Sequence, residues 1–140
     1  MDPKSGGWGR NVKQFVLRIA LILGLCTGSA VAQGQAEKLS GEQIRAVLTG
    51  NTAVGRWNGV PYRRFFGPDG VTVWAQKDAQ PVERTWRVDD QTQEYQSQRS
   101  GDLDWEGWFV MDYGRTLYWV SRSTPPTPFH VVPGKQLDFE

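Results

Sequence analysis

The 140-residue chain has one cysteine and one histidine. A single cysteine excludes an internal disulfide and any Cys-rich metal site. A lone histidine, His130, excludes a His-pair metal centre, and no motif presents a nucleophile for it to activate. An excess of one charge is also missing, since 16 basic residues face 15 acidic ones. Four of the basic residues (Lys4, Arg10, Lys13, Arg18) and one acid (Asp2) fall in the first 32 residues. The remainder therefore holds 12 basic and 14 acidic residues, a net charge of −2. A nearly neutral domain lacks the electrostatic footprint of a nucleic-acid binder. No Gly-rich phosphate loop, nucleophile elbow or H-E-x-x-H motif occurs, so neither a cofactor nor catalysis is expected. Asp102-Leu103-Asp104-Trp105-Glu106-Gly107 imitates the opening of a calcium loop, but Tyr113 stands where the closing bidentate Glu belongs.

Long hydrophobic runs are scarce as well. Phe15–Cys26 is apolar except for Arg18 and falls short of the ~20 residues that span a bilayer. It follows the basic stretch Met1–Gln14 and precedes Ala30-Val31-Ala32, the order of a secretory signal peptide. The expected organisation is a signal peptide over 1–32, a flexible leader over 33–38 and one domain over 39–140. Cleavage near Ala32 would send the domain to the periplasm or outside the cell, with no membrane span retained; an uncleaved anchor is the alternative. Cys26 would leave with the signal.

Aromatic residues are what the chain has in plenty. Residues 33–140 include Trp57, Trp74, Trp86, Trp105, Trp108 and Trp119, with nine further Tyr and Phe. A domain of this size without disulfides needs large side chains to build a core. The same rings can also line a ligand pocket.

Ser40 and Gln43 have the spacing of a capping box, and Ile44, Val47 and Leu48 form one helical stripe that Gly50 and Asn51 end. The pattern then changes to strands: Val54–Asn58, Tyr62–Phe66, Val71–Gln76, Val82–Val88, a short polar edge strand at Glu94–Gln98, Trp105–Met111, Thr116–Arg122 and Phe129–Val132. Tight turns such as Gly67-Pro68-Asp69-Gly70 join them. The expected fold is mainly β, an antiparallel meander closing into a small lipocalin-like barrel or half-barrel with one short N-terminal helix. Trp105–Val120 is apolar on both faces, so something must cover its second face. The helix is the simplest cover, and a partner protein or a ligand are the alternatives.

Gly55-Arg56-Trp57 resembles the G-x-W signature of the lipocalin-like, or calycin, barrels. That resemblance implies that Trp57 packs across the closed end of the barrel, with Arg122 of a late strand over its ring. A longer stretch, Leu39–Gly70, is similar to a family of small exported bacterial proteins of unknown function. Thr85-Trp86-Arg87-Val88 and Trp119-Val120 continue that match. Members often carry two cysteines near the positions of Tyr95 and Phe109, so no disulfide carries over to this chain. The resemblance implies a fold and an export route, and no activity. From the residues themselves, a pocket would be lined by Trp74, Trp86, Trp108 and Tyr118, with Arg64 as its polar anchor. Its cargo would be a small apolar or amphipathic molecule. The alternative is an envelope module that meets a protein partner through an exposed aromatic strand face.

Overall fold

The computed structural model describes residues 35–140, so the signal peptide expected over 1–32 lies outside the described residues. Helix α1 (Gly41–Leu48) carries the expected capping box: Gln43 N donates to Ser40 Oγ at 3.2 Å, and Ser40 N donates to Gln43 Oε1 at 2.7 Å. Asn51 Nδ2 caps the other end by donating to Val47 O at 2.9 Å. The two-residue strand β1 (Glu37–Lys38) precedes the helix.

Eight strands follow: β2 (Asn51–Trp57), β3 (Val60–Phe66), β4 (Val71–Gln76), β5 (Val82–Asp89), β6 (Glu94–Gln98), β7 (Glu106–Asp112), β8 (Leu117–Val120) and β9 (Thr127–Pro133). Each pairs antiparallel with the next, and β9 returns to β2, closing an eight-stranded meander barrel. The β2–β3 turn is Asn58-Gly59, both with positive φ. The expected first strand ran through Asn58, but an Asn-Gly pair is a strong two-residue hairpin signal that ends the strand at Trp57.

Side chains alternate inward and outward without a break around the ring. Register pairs such as Tyr62↔Gln76, Arg64↔Trp74, Trp86↔Ser97, Tyr95↔Trp108 and Val110↔Trp119 share the inner face. The helix closes one end of this interior. Its Ile44 and Leu48 join Phe66, Trp86, Tyr95, Val110, Trp119 and Phe129 in a single core cluster. Arg45 fixes the helix to the β5–β6 turn through two bonds to the Asp90 carboxylate, at 2.8 and 2.9 Å.

Three expectations need correction. Glu94–Gln98 is not an edge strand: β6 pairs on both sides, and its Tyr95, Gln96 and Ser97 are buried. Its polar side chains hide the burial in the sequence because arginines serve them, Arg87 Nε donating to Gln96 Oε1 at 2.8 Å. The helix does not cover the outer face of the β7–β8 hairpin, because it packs against β2, β5 and β6 instead. Lys38 lies there, with Nζ 3.9 Å from the Phe109 ring centre. The end of the expected flexible leader is ordered as well, since β1 pairs with β7 where β6 has already stopped.

Candidate functional site

The barrel end away from the helix is open. Its loops are the β2–β3, β4–β5, β6–β7 and β8–β9 connections. A cavity of about 350 Å³ runs inward from this mouth, lined by six aromatic rings (Trp57, Tyr62, Trp74, Tyr95, Trp108 and Trp119) and by Arg64, Arg84, Arg99 and Glu106. That volume is at the low end of small-molecule sites. Around the mouth Val60, Val82 and Leu103 are exposed, Leu103 by 94%.

Strand alternation sets the rings. Tyr62 lies flat against Trp74, with centroids 4.4 Å apart and planes 13° apart. Gly55 faces Tyr62 from β2, and a Cβ there would meet Tyr62 Oη at 3.0 Å and the Pro128 carbonyl oxygen at 2.9 Å. Only glycine leaves room for the ring at that approach. Tyr62 Oη accepts from Trp119 Nε1 at 2.9 Å. Burial pushes the Tyr62 phenol up to about 12, against the opposing pull of the Trp119 bond and the Arg64 charge.

Arg64 projects from β3 into the interior beside these rings. Its Nε donates to Thr72 Oγ1 and its Nη2 to Ser97 Oγ, both at 3.2 Å. Its guanidinium carbon lies 5.4 Å from the Trp74 ring centre and 5.2 Å from that of Tyr95. Among the described residues the ion pairs are Arg45–Asp90 and Arg84–Glu106, so Arg64 has no carboxylate partner. Burial lowers its pKa below the usual guanidinium value, though the group remains a cation. The side chain is only partly buried, so it loses part of its hydration, and that loss opposes the charged form. Each ring face returns about 1–2 kcal/mol, and neutral hydroxyl acceptors do not neutralise the charge.

A second unmet group lies close by. Tyr95 Oη is buried and has no hydrogen-bond partner. Its phenol pKa is raised by burial, with the Arg64 charge opposing. The Ser97 and Thr72 hydroxyls are its nearest polar neighbours and pull its pKa down against burial, but neither completes a hydrogen bond with it. The floor of the cavity thus holds one unneutralised cation and one neutral donor.

The structure brings together Arg64, Trp74 and Trp108 of the expected pocket residues and separates the others. Trp86 points inward but belongs to the helix-end core, where it packs edge-on to Phe66 at 5.4 Å and its Nε1 donates to Gly67 O. Tyr118 is on the outer face of β8, against Tyr113 at 4.9 Å. Strand parity decides this, because Val110↔Trp119 is the inward pair and Met111↔Tyr118 the outward one. Unexpected among the lining residues are the aromatics Trp119, Tyr62 and Tyr95 and the charged Arg84, Arg99 and Glu106; the alternation of Leu117–Val120 and Tyr62–Phe66 carries the signal for Trp119 and Tyr62.

Trp57 also departs from its expected role. β2 starts at Asn51, so Trp57 ends the strand at the open mouth and not at the helix-closed end. There it meets Trp108 edge-to-face at 5.7 Å. Arg122 makes no cation–π contact with Trp57; it lines a second groove that the Trp57–Trp108 pair also borders. Compared with protein-family models, curated proteins and solved structures, the chain matches none.

Proposed function

We propose that this is an exported, non-catalytic binding domain that holds a small amphipathic molecule in the open end of its barrel. The aromatic cavity with an unneutralised arginine at its floor supports this reading most directly. The rings touch in pairs, Tyr62 on Trp74 and Trp57 on Trp108, yet they leave about 350 Å³ open between them, which a core built only for stability would fill. Rings offer apolar contact area, and a few convergent polar groups orient the cargo. The A-x-A pattern at Ala30–Ala32 supports export to the periplasm or beyond.

Native mass spectrometry tests both parts on the protein recovered from the envelope fraction of cells expressing the whole chain. A mass that begins at Gln33 and carries a reproducible non-covalent adduct is the expected result. A bare monomer would count against a carrier, and an intact N-terminus against cleavage. The second reading, a protein-interaction module, draws on the outer Tyr113–Tyr118 pair, of which Tyr113 is half exposed. A hetero-complex that survives the same measurement, and that Tyr113→Ser disrupts, would favour it.

A further inference from the structure

We infer that Arg64 and Tyr95 form a carboxylate-binding subsite, and that the cavity takes a small aromatic carboxylic acid, bound head-down with its ring among the tryptophans. The inference rests on the cavity being a ligand site and adds the class of ligand. Arg64 has five N–H donors, and its protein bonds are one from Nε and one from Nη2. The donors left over belong to a cation with no carboxylate partner among the described residues. Tyr95 Oη is the one buried side-chain polar atom among those residues without a partner, and a phenol can donate. A carboxylate has two acceptor oxygens, one for the free guanidinium nitrogen and one for the Tyr95 hydroxyl.

Charge and shape narrow the class. Three arginines and one glutamate line the cavity, and Glu106 is already bonded to Arg84 at 3.0 Å. That leaves Arg64 inside the cavity and Arg99 exposed at its lining, so a single carboxylate answers the one cation that solvent does not already bathe. The walls are ring faces and edges of Trp57, Trp74, Trp108 and Trp119, which suit a flat apolar body. A volume of about 350 Å³ suits a one- or two-ring acid better than a long acyl chain.

Titration calorimetry of the purified protein with naphthalene-2-carboxylate and its neutral isostere naphthalene-2-carboxamide tests the subsite. The carboxylate should bind about tenfold or more tightly than the amide at pH 7. Arg64→Met should erase that preference and change amide affinity by less than about threefold. Tyr95→Phe should reduce the preference by about three- to tenfold. Equal affinities in the unaltered protein, or a preference that survives Arg64→Met, would overturn the carboxylate subsite and leave the cavity a ligand site. If Arg64→Met does not fold, Tyr95→Phe decides: an unchanged preference overturns the subsite. No binding of either probe at millimolar concentration would overturn the cavity reading together with it.

Discussion

At the helix end of the barrel Ile44, Leu48 and Phe66 are wholly buried, and the neighbouring turn is tied down by the Arg45–Asp90 pair. At the other end Val60, Val82 and Leu103 face solvent, Arg64 has no counter-charge and the Tyr95 hydroxyl has no partner. Both ends draw on the same inward-facing rows and the same aromatic residue types. Rings touch at both ends, but the helix end packs them into one buried cluster with Ile44 and Leu48, where Phe66 meets Trp86 and Tyr95 edge-on, each at 5.4 Å. The open end leaves ring surface and polar groups unmet, which is the expected distribution where stability is given up for binding.

The largest effect expected from this contrast is on stability. Phe66→Ala removes a fully buried ring from the centre of the core and should cost about 3–5 kcal/mol. Trp57→Ala at the mouth removes a larger ring that is only half-buried and should cost about 1 kcal/mol. Urea denaturation of the two variants measures the difference. Similar losses would mean that the mouth is a second core and not a binding surface.

A smaller effect should come from Tyr62, which joins the two ends. Its folded pKa of about 12 lies above the ordinary phenol value of about 10. The unfolded chain therefore loses this proton first as pH rises. Its contribution to stability is intact below about pH 10 and is lost as pH climbs through about 12. A shift of that size corresponds to about 2–3 kcal/mol. The raised Tyr95 phenol acts in the same direction. Denaturation midpoints at pH 9 and near pH 12 should show the drop, and Tyr62→Phe should flatten it. A curve that is unchanged by Tyr62→Phe would place the alkaline transition elsewhere.

What the sequence made legible follows from how local each signal is. Ser40 and Gln43 lie three residues apart, so the capping box shows directly, and β4 and β6 have the bounds that alternation and turn residues imply. Strand parity was equally local, and it correctly sets Arg64 with Tyr62 and Phe66 on one face. Depth along the barrel was not. Trp86 and Trp108 both point inward, yet one lies in the helix-end core and the other at the cavity. Only the stagger of eight paired strands separates them. Trp57 was misplaced for the same reason, because a three-residue motif does not say at which end of its strand it sits. The burial of β6 is concealed because its polar side chains are satisfied by Arg87 from adjacent β5 and by Arg64 from β3 across the barrel. Such long-range partners leave no mark on the residues between them.

The smallest expected effect has the opposite sign to the others, and this makes it informative. Arg64→Met replaces an unneutralised, partly buried cation with a shorter apolar chain. Thr72 keeps its bond to Phe65 O, at 2.7 Å, so losing Arg64 does not orphan its hydroxyl. Ser97 loses a donor but lies beside the unpartnered Tyr95 hydroxyl, and the two can pair once the guanidinium is gone. The desolvation cost of the charge disappears, and its cation–π contacts with Trp74 and Tyr95 disappear with it. On balance the variant should gain up to about 1 kcal/mol in urea denaturation, less than for a fully buried charge because Arg64 is only partly buried. A loss of several kcal/mol would mean that Arg64 is a structural keystone, and that the open end is held together as firmly as the closed one. A gain would mean that the charge is kept at a cost to stability, which is the expected result if its partner arrives from solution.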